Sequence, residues 1–314
     1  MQSIDHSNGF LRLTNNAPIP ALKDDEVLIK AKGSYPPPPG ASEILGVEVS
    51  GTVADLAQGV PADAELGKGD AVMVLMDGGG YAEFCAVPYK AVMRVPEGTS
   101  ITEAAAIPEV FLTAYQTLFL NTHLKDGETL LVHAGASGVG LALIQLARTL
   151  FKGSDDKLVV CRENGADVTV NYKTTDFAEE VLSVTNKKGA DVIVDFIGAP
   201  YWEQHMKCIA IDGRLQLTGM LGGGVIPGPT NIGTLLAKRT TVIGTTLRSR
   251  SPEYKHQLTK EFSACLPSLF TSGILHVNID SVFSFDMAAQ AHERMKNNLN
   301  VGKILLTWTS TTLC

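Results

Sequence analysis

The chain has 314 residues, 45% of them apolar and 19% charged, with a formal net charge of −7. That length carries roughly two domains with a large core, and the apolar and charged shares are those of an ordinary globular protein. The acidic balance, with no basic run longer than the pairs Lys187-Lys188 and Lys238-Arg239, argues against a polyanion binder, so nucleic acid is not an expected partner.

In chain order, the opening MQSIDHSNGF lacks the charged-then-apolar pattern of a signal peptide. Residues 26–31 alternate as a strand does, and the proline cluster at 36–39 can be neither helix nor central strand. Residues 47–53, 71–76 and 81–87 are short strand candidates separated by Gly, Pro and Asp turns. Gly67-Lys68-Gly69-Asp70 has turn chemistry, not that of a phosphate loop, since no helix follows it. The N-terminal part therefore reads as a β-rich domain. Residues 102–120 are helical in pattern, with Pro108 marking a break or a first turn.

The centre of the chain is TLLVHAGASGVGLALIQLARTL. Residues 129–132 form a buried-strand pattern that breaks into Gly135-Ala136-Ser137-Gly138-Val139-Gly140. Val139, Leu143, Leu146 and Leu150 then recur at helical spacing. Strand, glycine turn and helix together present backbone N–H groups and a helix N-terminus to a phosphate. The spacing is G-x-x-G-x-G, not G-x-G-x-x-G, and glycines that serve only tight strand-to-helix packing remain the alternative.

Downstream, 168–170, 191–196, 214–217 and 241–245 are strand candidates, with an amphipathic segment at 176–184. Such alternation predicts a parallel sheet with helices on both faces. Residues 215–237 carry no charge but are too rich in Gly and Pro for a membrane span. Residues 286–297 read as helix and 303–307 as a last strand. Cys85, Cys161, Cys208, Cys265 and Cys314 are widely spaced, odd in number and form no C-x-x-C. That pattern fits free thiols in a cytoplasmic protein and offers no zinc site.

HAGASGVG with AAAIPEVFLTAYQTL resembles the zinc-free, zeta-crystallin-like NADPH:quinone oxidoreductases of the medium-chain dehydrogenase/reductase superfamily. YPPPPGASEILGVEVSG, GGGYAEF, NYK, DFIG, YWE, LRSR and NVGKI, in that order, resemble the tumour-suppressor-inducible subgroup. The similarity covers nearly the whole chain from about Asp24 onward. It implies an α/β fold: a Rossmann-like doubly wound parallel sheet domain at 112–272, a β-rich GroES-like domain at 1–111 and 273–314, and an active site in the cleft between them. It also implies an NADPH-dependent, metal-free hydride transfer to a quinone or conjugated carbonyl.

Carried onto this chain, the resemblance assigns the pyrophosphate cradle to Ser137, Gly138, Val139 and Gly140. Ser137 is equally readable as a helix N-cap. Ser154, Lys157 and Tyr172 match the surroundings of the 2′-phosphate, although Asp155 and Asp156 beside the lysine also suit a plain surface turn. Phe196, Gly198, Gly219, Met220, Leu247, Arg248 and Asn300 match the segments lining ribose and nicotinamide. Tyr35 matches the tyrosine near the nicotinamide, where a phenol can stack on a quinone and hydrogen-bond its oxygen. As a tyrosine before four prolines, it could equally be a packing residue. A homodimer is expected through an edge strand at 240–247.

Two stretches depart from the family. Lys32 reaches Tyr35 through only Gly33 and Ser34, a span of about 7 Å fully extended. The longer family loop, with an Asn and an Arg near the substrate, is missing. Between Leu150 and Gly153 only Phe151 and Lys152 remain, so the second strand of the Rossmann unit is expected to be lost. Reduced stability and weakened NADPH binding follow, and the alternative function is that of a catalytically impaired, splice-type or divergent homologue that binds cofactor or partner.

Overall fold

The computed structural model describes residues 3–7, 10–14, 26–30, 42, 44–150 and 159–308. Tyr35, Ser154 and Lys157 lie outside the described residues. The chain forms two compact units, Met1–Leu112 with Leu247–Cys314, and Thr113–Thr246.

In the first unit, β1 (Ser3–Ser7) and β2 (Phe10–Thr14) form an antiparallel pair. β3 (Glu26–Lys30), β4 (Glu48–Leu56), β5 (Ala71–Leu75), β6 (Phe84–Pro88) and β7 (Val92–Arg94) build an antiparallel sheet in the order β6-β3-β4-β5-β7. Its core gathers Val49, Val53, Val72, Val74, Cys85 and Val87, the alternate inward positions of β4, β5 and β6. The short helix α1 (Ile101–Ala104) begins with a capping box between Ser100 and Glu103. Pro108 is the first residue of α2 (Pro108–Tyr115), where its missing N–H loses no helical bond. The N–H of Glu109 donates instead to buried Glu48 (2.9 Å), whose other oxygen pairs with Lys303.

In the second unit, α2 runs into a π-helical turn, Gln116–Asn121. β8 (Leu130–Val132) follows, then α3 (Gly138–Leu150), α4 (Val159–Glu163), α5 (Phe177–Val184), β9 (Ala190–Asp195), α6 (Trp202–Cys208), β10 (Ile209–Leu217), α7 (Gly233–Lys238) and β11 (Thr241–Gly244). The four strands form one parallel sheet in the order β11-β10-β9-β8. α5 starts at Asp176, whose carboxylate accepts from the N–H groups of Ala178 (2.8 Å) and Glu179 (3.2 Å). Phe177, Val181, Ile193, Met206, Ile209 and Leu215 make the buried core between this helix, α6 and the sheet.

Residues 168–170, expected as a strand, are not one. A β-branched run becomes a strand only where a neighbour completes its ladder, and among the described residues β8 is paired on one side alone, with β9.

The chain then returns to the first unit with α8 (Pro252–Cys265), α9 (Pro267–Thr271), β12 (Ile279–Ser284), α10 (Ala288–Lys296) and β13 (Lys303–Thr307). β12 and β13 pair in parallel, and Phe285 stacks on Trp308 with ring centroids 3.8 Å apart. The compact units thus group α8 and α9 with the antiparallel sheet, whereas the sequence had placed 112–272 together. The reason is packing: α8 lies on β7 and the turn Tyr89–Ala91, and Phe270 of α9 meets Phe111 edge-on at 4.8 Å. Among the described residues, no helix is long and apolar enough to cross a membrane.

Candidate functional site

The turn between β8 and α3 sets the geometry of the parallel-sheet unit. Ala134 takes a left-handed conformation, φ 49°, and its carbonyl accepts from the Ser137 N–H at 2.9 Å. Ser137 Oγ in turn accepts from the Gly140 N–H at 3.1 Å, so this serine does cap the helix. A Cβ on Gly140 would lie 2.7 Å from the Gly135 carbonyl oxygen and closer still to that of Ala134. Glycine at 140 is therefore what lets the first turn of α3 lie against the end of β8. α3 buries Leu141, Leu143, Ile144 and Leu146, and the N–H groups of its first turn have no acceptor within the helix. Such an end favours an anion.

The loops after β9 and β10 interlock beside it in the same sheet. Both oxygens of buried Asp195 accept backbone N–H groups, from Ile197 and from Gly198, each at 2.8 Å. The N–H groups of Leu221 and Gly222 donate to the carbonyls of Phe196 (2.9 Å) and Ile197 (2.8 Å), and that of Ala199 donates to Gly223 (2.9 Å). Gly198 has φ +90°, and a Cβ there would meet the Gly223 oxygen at 2.6 Å and Met220 Sδ at 2.7 Å. Phe196, Gly198, Gly219 and Met220 are thereby drawn together at the carboxyl ends of β9 and β10, and Ser137, Gly138, Val139 and Gly140 follow the carboxyl end of β8. In an open parallel sheet these ends are where ligands bind.

The other sequence-predicted residues have different settings. Tyr172 lies in an exposed turn of the parallel-sheet unit. Leu247, Arg248 and Asn300 belong to the antiparallel unit. Arg248 there donates to the Asp77 carbonyl at 2.7 Å, and Lys255 pairs with the Asp77 carboxylate while donating to the Arg248 carbonyl at 2.7 Å. Asn300 donates to the Gly302 carbonyl at 2.9 Å and shapes the turn into β13.

One group in the parallel-sheet unit was not singled out in the sequence. His133, directly after β8, Asp195, at the end of β9, and His205, on α6, bring potential ligand atoms within 4.8 Å of one another, and all three are buried. The two Nε2 atoms are 2.9 Å apart. Burial pushes His133 down to about 4 and, with His133 beside it, His205 down to about 3, so both imidazoles are neutral at pH 7. Burial also raises the carboxyl of Asp195 against the lowering effect of its two N–H donors. Tyr201 stands beside His133 with ring centroids 4.9 Å apart, its phenol raised by burial and by the neighbouring Tyr172 and Asp195. A histidine following a strand and another on a helix carry no signature in a single sequence, because only the fold joins them.

Residues 138–264 match the model of the family described as zinc-binding dehydrogenase. The chain is 31% identical over 287 residues to a quinone oxidoreductase-like protein 2 homolog of Nematostella vectensis, covering 89% of this chain and 77% of that one. It is 30% identical to the human synaptic vesicle membrane protein VAT-1 homolog, covering 89% of this chain and 75% of that one. Among solved structures, Escherichia coli quinone oxidoreductase complexed with NADPH superposes with a TM-score of 0.84 at 25% identity, over 98% of this chain and 99% of that one.

Proposed function

This chain belongs to the quinone oxidoreductase-like proteins related to the zinc-binding dehydrogenases, and from that membership we propose that it is an NADPH-dependent oxidoreductase delivering hydride to a quinone or conjugated carbonyl. The observation that carries the reading is the β8–α3 turn: Ser137 caps the helix at Gly140, Gly140 admits its close approach, and the preceding N–H groups of Gly138 and Val139 have no acceptor within the helix, as a pyrophosphate site needs. Kinship with a quinone oxidoreductase complexed with NADPH supports the same nucleotide here.

In this reading Ser137, Gly138, Val139 and Gly140 hold the pyrophosphate. Ser154, Lys157 and Tyr172 receive the 2′-phosphate, with Lys157 supplying the countercharge. Phe196, Gly198, Gly219 and Met220, with Leu247, Arg248 and Asn300, line ribose and nicotinamide, and Tyr35 orients the acceptor. Bound NADPH would supply the hydride to a quinone, and Tyr35 or solvent would supply the proton that completes the hydroquinone. The step asks for a positioned acceptor and a donor to the developing oxyanion, and the reading is zinc-independent at that step.

We assign the unit Met1–Leu112 with Leu247–Cys314 to the substrate domain and Thr113–Thr246 to the nucleotide domain, and place the protein in the cytoplasm, which fits the free thiols of Cys85, Cys161, Cys208 and Cys265. We also assign a homodimer through residues 240–247. β11 is an edge of the parallel sheet, and its Thr241, Val242 and Gly244 are exposed. Sedimentation at micromolar concentration should show a dimer, and a monomer alone would remove that assignment. The activity itself is tested by steady-state assay with NADPH and an ortho-quinone. Turnover well above the uncatalysed rate is expected, and none would overturn the reading.

A further inference from the structure

We propose that His133, Asp195 and His205 bind a divalent transition metal of the zinc class, which ties the end of β8 to the end of β9 and to α6. The donor set is two imidazole nitrogens and one carboxylate oxygen within 4.8 Å of one another, a combination suited to zinc or cobalt with a fourth position left open. His133 is 8% exposed, and Asp195 and His205 are 0% exposed. The ligands come from two adjacent strands and a helix packed on the sheet, so the fold holds them together.

The protonation chemistry is suitable. Neutral imidazole is the ligating form, and it is the form that a buried site favours. Without an ion, one ring must present N–H to the other across the 2.9 Å between their Nε2 atoms. Binding a cation replaces this single N–H···N bond by two coordinate bonds, while a proton moves from Nε2 to Nδ1 of one ring and none leaves the protein.

The spacing of the two imidazoles is close to that of a metal site. Zinc–nitrogen bonds of about 2.0–2.1 Å place two tetrahedral ligand nitrogens about 3.3 Å apart, so the rings have only to separate slightly from 2.9 Å. The N–H groups of Ile197 and Gly198 already fix the Asp195 carboxylate, as outer-shell donors do at metal sites. The rings of Phe177 and Tyr201, with centroids 4.6 and 4.9 Å from that of His133, pack against this ligand and hold its plane.

The test needs neither NADPH nor quinone, so its outcome is separate from that of the oxidoreductase reading. The full chain, freed of any affinity tag and stripped with chelator, is titrated with Co²⁺ alone. Expected are saturable visible d–d bands for a single bound Co²⁺, their loss on adding Zn²⁺, and a higher unfolding midpoint with Zn²⁺. His133→Asn and His205→Asn should each weaken Co²⁺ binding by about a hundredfold or more and remove the Zn²⁺-dependent rise. Should either variant fail to fold, X-ray absorption of the zinc-loaded native chain decides: imidazole and oxygen ligands support the site, whereas sulfur ligands overturn it. Absence of saturable binding, or binding undiminished in both folded variants, overturns it as well.

Discussion

β8 and β9 lie side by side in one parallel sheet, with Leu130, Leu131 and Val132 in register with Val192, Ile193 and Val194. Their side chains are chemically alike, yet Val192, Ile193 and Val194 are all 0% exposed while the three residues of β8 are only half-buried. The difference is one of position. β9 has a strand on each side, β8 and β10, whereas β8, among the described residues, has one on one side only. The strand that carries the glycine turn at its end is thus the less buried of the pair.

Truncation in the two strands should separate them most strongly. Ile193→Ala is expected to cost about 2–5 kcal/mol in urea unfolding, and Leu131→Ala no more than about half of that. Equal losses would show that β8 is as well packed as β9.

The ends of the same strands give the next largest effect. His133 and His205 sit at about 4 and about 3 in the folded chain against an ordinary 6.5. The unfolded chain therefore binds more protons as pH falls below about 6.5, and stability is lost in that direction. Between pH 7.5 and 5.5 the metal-free protein should lose about 2–3 kcal/mol from these two groups, and His205→Asn should reduce that loss. A flat profile over this window would show that neither imidazole is held neutral by burial.

At the turn after β8, Gly140→Ala forces a Cβ against the carbonyls of Ala134 and Gly135. Overpacking of about 1–3 kcal/mol is expected, together with a weaker fit for NADPH, read by calorimetry. Ser137→Ala removes the cap on Gly140, and a loss near the usual ~1 kcal/mol for an N-cap should appear in the unfolding midpoint.

Much of this was legible in the sequence. The strand–glycine–helix signal around Ser137 gives β8 and α3, Asp176 gives the start of α5, and Pro108 opens α2. The loops at Phe196 and Gly219 also lie at strand ends, as read. Other features were hidden for physical reasons. The run at 168–170 has strand-like residues, but a ladder partner decides whether they pair, and none can be read from propensity. Ser251 and Pro252 form an N-cap and first-turn pair that could have announced α8. Which unit α8 joins depends on Leu258 and Phe262 finding cover, which no local pattern states. His133, Asp195 and His205 meet only through the stacking of two strands and a helix.

In the proposed reading the glycine turn holds its nucleotide from a strand that, among the described residues, is paired on one side. Titration of the purified chain with NADPH and with NADH, followed by nucleotide fluorescence and unfolding midpoint, tests it most directly. Saturable binding with a higher midpoint, stronger for NADPH than for NADH, is the predicted result. No stabilisation by either nucleotide would contradict the account and leave the oxidoreductase fold without its cofactor.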